Sequence, residues 1–146
     1  MPKMLNGNTR KLVDKKEMTD SVRILLVDDE PPLLKLMQTY LARLGYSVEA
    51  CPDARSAMAA FAREPSGFDL VVADVTLPDM SGQDMAVEMA ERAADVRVLL
   101  CSGYPVQLTS VPAAVRDRFA CLDKPFLPNM LASMVEKLVQ QKKVCH

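Results

Sequence analysis

The chain has 146 residues, 49% of them hydrophobic and 25% charged, with a formal net charge of −1 and an isoelectric point near 5.8. This length suits one soluble domain whose core needs no metal or disulfide staple, and the near-neutral charge leaves no electrostatic footprint for direct nucleic-acid binding. No apolar stretch approaches the roughly 20 residues of a membrane span, and the N-terminus lacks a secretory h-region, so the chain is expected in the cytoplasm.

Residues 1–20 are polar and mixed in charge, with Asn6-Gly7-Asn8 followed by Lys11, Lys15 and Lys16. They are expected to form a mobile tail or linker, the alternative being a short helix around Thr9–Met18 that docks elsewhere. The domain proper is expected over residues 21–141, with 142–146 as a C-terminal tail. Val22–Val27 predicts a first strand running into Asp28-Asp29-Glu30. Pro31 and Pro32 then forbid ladder pairing and suit a first helical turn. Leu33, Leu36, Met37, Tyr40, Leu41 and Leu44 keep i, i+3, i+4 spacing, which predicts a helix with that face on the sheet. Gly45 ends it as a C′ residue.

Ser47–Cys51 predicts a short second strand, and Asp53 is placed to cap a helix that turns Ala54, Ala57, Met58 and Phe61 inward. Pro65-Ser66-Gly67 breaks that helix. Leu70-Val71-Val72-Ala73-Asp74 is an apolar run ending on one carboxylate, the pattern of an interior strand in a parallel sheet. Asp74 cannot sit unpaired in that core and must face a loop at the strand's C-terminal end. Leu77-Pro78-Asp79-Met80-Ser81-Gly82 is that loop, and Met85, Ala86, Met89 and Ala90 mark a third helix.

Val96–Cys101 predicts the fourth strand, ending at Ser102-Gly103. Pro105 and Pro112 interrupt any long helix between Tyr104 and Arg118. Ala120–Asp123 predicts a fifth strand, followed by Lys124-Pro125, and Leu131, Met134, Val135 and Leu138 a last helix. Five strands alternating with helices indicate a doubly wound α/β fold. The ten methionines fall largely on helical faces and read as core filler. Cys51, Cys101 and Cys121 are expected as reduced, buried thiols and Cys145 as exposed, since no CxxC pair occurs and the only histidine is His146.

Four predicted strands end in polar residues: Asp28-Asp29, Asp74, Ser102 and Lys124. In a parallel sheet these ends share one edge, where ligands bind. Three carboxylates converging there repel one another unless a cation lies among them. Hard oxygen donors without thiolate or imidazole favour Mg²⁺, which borrows oxygen from a phosphoryl group. Lys124 and Ser102 then supply a charge and a hydroxyl, giving a site for phosphoryl transfer by positioning and neutralisation. Taken singly, an Asp-Asp pair after a strand is usually a turn or a cap. Joint occurrence, in order and each at a strand end, favours the site.

On these residues the chain resembles a response-regulator receiver domain of two-component signalling. The matching pieces are Leu25-Leu26-Val27-Asp28-Asp29-Glu30, Asp74 with Leu77-Pro78-Asp79-Met80-Ser81-Gly82, Ser102-Gly103-Tyr104, and Lys124-Pro125-Phe126. The resemblance runs from about Val22 to Val139. It implies a flavodoxin-like, five-stranded parallel sheet in the order 2-1-3-4-5. It also implies that Asp74 is the phosphoacceptor, receiving its phosphoryl group from a partner's phosphohistidine. Asp28 and Asp29 would bind Mg²⁺ with Asp74 and the backbone carbonyl of Thr76. Ser102 would contact the phosphoryl group, Lys124 would pair with it, and Lys124-Pro125 would be cis. Thr76 and Tyr104 would tune access of water to the acyl phosphate.

The partner implied is a histidine kinase or a histidine phosphotransfer protein, and the chain is not an enzyme beyond assisting its own phosphorylation and dephosphorylation. The Ser-Gly-Tyr and Leu-Asp-Lys-Pro-Phe segments resemble receivers attached to hybrid histidine kinases. The chain is expected either to stand alone or to be a module of a longer kinase, with the N-terminal segment as linker. Two features depart from the family pattern. Cys121 stands where aromatic-switch receivers carry Tyr or Phe, with Tyr104 and Phe119 as alternatives, and the two prolines make the fourth-helix region irregular. Competing readings are a receiver fold that binds partners without phosphorylation, and a haloacid-dehalogenase-like phosphohydrolase. The latter needs a second aspartate two residues after the nucleophile, where this chain has Thr76.

Overall fold

A computed structural model describes residues 22–144, with side chains described through residue 141. The N-terminal tail, the alternative helix Thr9–Met18, and Cys145 and His146 lie outside the described residues. The elements are β1 (Arg23–Val27), α1 (Pro31–Arg43), β2 (Ser47–Cys51), α2 (Ala54–Arg63), β3 (Leu70–Asp74), α3 (Gly82–Arg92), β4 (Arg97–Ser102), α4 (Ala113–Arg116), β5 (Phe119–Asp123) and α5 (Pro128–Val144). Short 3₁₀ turns cover Pro65–Gly67 and Leu108–Ser110. All strand pairs are parallel, in the order β2-β1-β3-β4-β5. This is the flavodoxin-like order, and the strands begin and end within about one residue of the sequence expectation, the usual fraying at element ends.

Alternate side chains of the inner strands feed opposite faces, as the two-residue period of a strand requires. Leu25, Val27, Val71, Ala73, Val98 and Leu100 join Ala57, Phe61, Met85, Met89 and Val115 under α2, α3 and α4. Ile24, Leu26, Leu70, Val72, Leu99 and Cys101 join Met37, Leu41, Leu131, Val135 and Leu138 under α1 and α5. Every residue of β3 is buried, which is why its sequence is a continuous apolar run and not an alternating one.

Local chemistry sets the helix ends. Gly45, at φ 103°, takes the left-handed position after α1, with Gly45 N–H on Ala42 O (3.0 Å) and Tyr46 N–H on Leu41 O (3.3 Å). Asp53 caps α2 by accepting from Ser56 N–H at 2.8 Å, and Ser81 caps α3 by accepting from Gln83 and Asp84. The stretch between Tyr104 and Arg118 is irregular as its prolines dictate, with a four-residue α4 entered directly from Pro112.

Three burial expectations are corrected. Leu36 and Leu44 are exposed, at 56% and 46%. The fully buried stripe of α1 is only Met37 and Leu41, with Leu33 and Tyr40 half-buried against the core, because the helix packs mainly over the sheet's β2 side. Cys121 is half-buried, since β5 is an edge strand of the sheet. Met130 is exposed, while Met37, Met85 and Met89 do fill the core.

Candidate functional site

The parallel register brings the strand ends together. Val27 pairs with Ala73, Asp74 with Cys101, and Ser102 with Asp123, so Asp28, Asp74, Ser102 and Lys124 emerge along one rim. Asp28 and Asp74 are buried, at 1% and 8% exposed, whereas Asp29 faces solvent. One carboxylate oxygen from each of Asp28, Asp29 and Asp74 lies within 4.8 Å of the others. Buried carboxylates this close need a cation between or beside them.

Lys124 supplies one. Its Nζ donates to Asp28 Oδ2 and to Asp74 Oδ2, both at 3.1 Å, and Glu30 Oε1 lies 3.9 Å away. Burial pulls the Lys124 ammonium down, but its hydrogen bonds to Asp28 and Asp74 and their charges outweigh that, and the net shift is upward. The other oxygens are held by backbone. Glu30 N–H donates to Asp28 Oδ1 at 2.8 Å, and Thr76 N–H donates to Asp74 Oδ1 at 3.1 Å. One ammonium among four carboxylates leaves the pocket net negative, and its open ligands are hard oxygens. That donor set fits Mg²⁺, which prefers carboxylate, carbonyl and water.

Ser102 is brought to the rim, but its hydroxyl is turned to its own loop. It donates to Tyr104 O at 2.7 Å and accepts from Tyr104 N–H at 3.1 Å. Tyr104 is 53% exposed, whereas Phe119 is buried in the core with Val115 of α4. Lys124 N–H donates to Ser102 O at 2.8 Å, and the Lys124-Pro125 peptide is cis. Beside the carboxylates, Glu30, Leu33, Gly103, Lys124, Pro125 and Phe126 line an open cavity of about 400 Å³. Cys101, directly beneath, has its thiol pushed up to about 12 by burial, with the Lys124 charge opposing and nearby carboxylates reinforcing. It is an inert structural thiol.

The contacts of two residues at this rim escaped sequence reasoning. A Cβ on Gly82 would collide with Asp74 O, so α3 starts against the backbone of β3 and only glycine fits. Asp79 sends its carboxylate to the first amides of α2, accepting from Ala54 N–H at 2.9 Å and Arg55 N–H at 2.8 Å. Both lie in the loop motif Leu77–Gly82, but their contacts depend on packing between separate elements, which the motif does not reveal.

Fold and rim together define a class: a doubly wound parallel α/β protein with a lysine-bridged acidic pocket at the C-terminal edge of its sheet. A profile described as the response regulator receiver domain matches residues 24–136. The chain belongs to this family. It is 33% identical over 114 residues to the DNA-binding transcriptional regulator NtrC of Azospirillum brasilense, covering 78% of this chain and 23% of that protein. It is 32% identical over 103 residues to the response regulator protein PilR of Pseudomonas aeruginosa, covering 70% and 23%. The chain thus spans about a quarter of the length of these relatives. A response regulator receiver protein from Sinorhizobium medicae superposes with a TM-score of 0.74 at 25% identity, covering 84% of this chain and 97% of that one. The receiver domain of the hybrid histidine kinase CckA gives 0.69 at 24%, covering 80% and 98%, a likeness of fold. No helix among the described residues is long and apolar enough to cross a membrane.

Proposed function

We propose that residues 21–141 form a phosphorylatable receiver that takes a phosphoryl group onto Asp74 from the phosphohistidine of a histidine kinase or histidine phosphotransfer protein. The observation that carries this reading is the Lys124 ammonium 3.1 Å from both Asp28 and Asp74, inside a cluster of three carboxylates. A structural ion pair needs one carboxylate; three at one solvent-facing rim, with a single lysine, are arranged for an incoming divalent cation and phosphoryl group.

Asp28, Asp29, Asp74 and the Thr76 carbonyl would hold Mg²⁺, which supplies neutralisation of the phosphoryl oxygens when bound. An Asp74 oxygen forms the new O–P bond as the P–N bond of the phosphohistidine breaks. The electron pair leaves on the imidazole nitrogen, which is protonated, and an acyl phosphate remains on Asp74. Lys124, released from Asp74 Oδ2, pairs with the phosphoryl oxygens, and Ser102 turns its hydroxyl from Tyr104 towards them. Tyr104 shields the acyl phosphate from water. The chain contributes positioning and charge to its own phosphorylation and dephosphorylation, and acts in the cytoplasm through a changed surface.

The test is intact-protein mass after incubation with Mg²⁺ and a small phosphodonor, alongside Asp74→Asn. One phosphoryl adduct is expected on the wild type only, and only with metal. No adduct with small donors or with phosphorylated histidine domains would favour a phosphorylation-independent binding module.

A further inference from the structure

We infer that Asp79 is a positioning residue for the Mg²⁺ site: its carboxylate anchors the loop after Asp74 to the N-terminus of α2 and thereby keeps Thr76 in its binding conformation. The inference rests on the reading of Asp74 and Thr76 given above.

The first amides of a helix have no partner within it, and an N-cap side chain satisfies the second or third of them. In α2, Asp53 takes the third, Ser56 N–H, at 2.8 Å. The first two, on Ala54 and Arg55, go to separate oxygens of Asp79, 25 and 24 residues away. Asp79 thus occupies the end of α2 as a bound anion would, where the aligned backbone dipoles favour negative charge. Those amides hold its carboxyl below the usual aspartate range.

This contact sits at the tip of a loop whose base is already closed. Thr76 and Ser81 form an antiparallel bridge, and Gly82 N–H donates to Val75 O at 2.8 Å. Thr76 N–H reaches back to Asp74 Oδ1. The base therefore fixes the loop to β3 and α3, and Asp79 fixes its tip to α2. With the tip released, only the Thr76–Ser81 bridge and the Thr76 and Gly82 amide hydrogen bonds hold residues 76–81, and the Thr76 carbonyl gains freedom to turn from the carboxylates. Mg²⁺ must then order the loop on binding, and its apparent affinity falls by the fraction of chains that are competent.

The experiment compares the 146-residue wild type with Asp79→Ala, Asp79→Asn and Asp53→Ala. Asp53→Ala weakens the same helix end without touching the loop. Mg²⁺ dissociation constants come from calorimetry, and amide hydrogen exchange of residues 76–81 is followed in metal-free protein. Asp79→Ala is expected to raise the Mg²⁺ dissociation constant about threefold to tenfold, and to raise the half-saturating Mg²⁺ concentration for phosphorylation by the same factor. Exchange in the loop speeds up, and Asp79→Asn, which keeps one acceptor oxygen, falls between the two. Asp53→Ala leaves Mg²⁺ affinity within about twofold of wild type.

A competent wild type matched in Mg²⁺ affinity by both Asp79 variants overturns the positioning role alone. Equal losses in Asp79→Ala and Asp53→Ala also overturn it, because they assign the effect to the helix. Should Asp79→Ala not fold, Asp79→Asn decides by the same criteria. A wild type that neither binds Mg²⁺ nor gains a phosphoryl group overturns the receiver reading, and this inference with it.

Discussion

Two segments flank Asp74 at the rim, and they are built differently. Residues 75–82 are pinned at both base and tip, and Gly82 leaves no room for a side chain between α3 and β3. Residues 103–118 carry a 3₁₀ turn, a four-residue helix and two prolines, and a Cβ on Gly103 would meet nothing within 4 Å. This second segment is tied by side-chain contacts, some within itself and some to α3 and the turn after it. Arg116 donates to Val111 O and Thr109 O, and Ser110 Oγ accepts from Gln83 Nε2 at 2.8 Å. The contrast assigns the two sides different tasks. One holds Asp74 and the Thr76 backbone in place, and the other leaves open space at Gly103.

The largest test of that division is Lys124→Met, which leaves Asp28 and Asp74 buried without their cation. Urea unfolding in metal-free buffer is expected to show a loss of about 3 kcal/mol, the low end for a broken buried pair because the pocket opens to water. Saturating Mg²⁺ should recover more stability in this variant than in wild type. An unchanged metal-free midpoint would mean the lysine bridge is incidental.

Gly82→Ala and Gly103→Ala pose the comparison directly. The first forces a methyl group into the Asp74 backbone and is expected to cost about 2–3 kcal/mol, as overpacking does. The second enters open space and should stay within about 0.5 kcal/mol. Equal costs would erase the distinction between the two sides.

Tyr104 tests the looser side by function. Tyr104→Ala is expected to speed decay of the acyl phosphate by about threefold, roughly 0.6 kcal/mol of barrier. Decay from the wild type that is equally fast or faster refutes shielding by the ring.

The smallest effect concerns pH. The Asp79 carboxyl is held down in the folded state by the amides of Ala54 and Arg55. A depressed carboxylate contributes stability that is complete above its unfolded value of about 3.9 and is lost as pH falls through the lower folded value. Asp79→Asn should therefore flatten the acid limb of urea stability below about pH 4 and leave its shape near neutrality unchanged. Parallel acid limbs for the two proteins would show that the amide contacts do not discriminate the charged form.

Much of this architecture was legible along the chain because its signals are local. Periods of two and 3.6 mark the strands and helices, and prolines 31, 32, 105 and 112 punctuate them. The cap at Asp53 and the glycine at position 45 are chemistries of neighbouring residues. Polar residues at successive strand ends named the rim, since a parallel sheet sends all such ends to one side. Burial was less legible where it depends on which elements flank a strand or helix. Leu36 fits the inward spacing and is exposed, and Cys121 lies in a strand but only half inside.

Other contacts were decided by tertiary structure alone. Arg118 closes the C-terminal end of α3 by donating to Ala90 O, Ala93 O and Val96 O at 2.8–3.0 Å, and nothing in its local sequence distinguishes it from other arginines. The sequence determined that Asp28, Asp74, Ser102 and Lys124 would share an edge, because strand direction and hydrophobic period are properties of short segments. It could not determine that Ser102 turns to Tyr104, that Gly82 abuts Asp74, or that Asp79 fills the end of α2. Those depend on distances between segments far apart in the chain, which only the packed sheet and helices set.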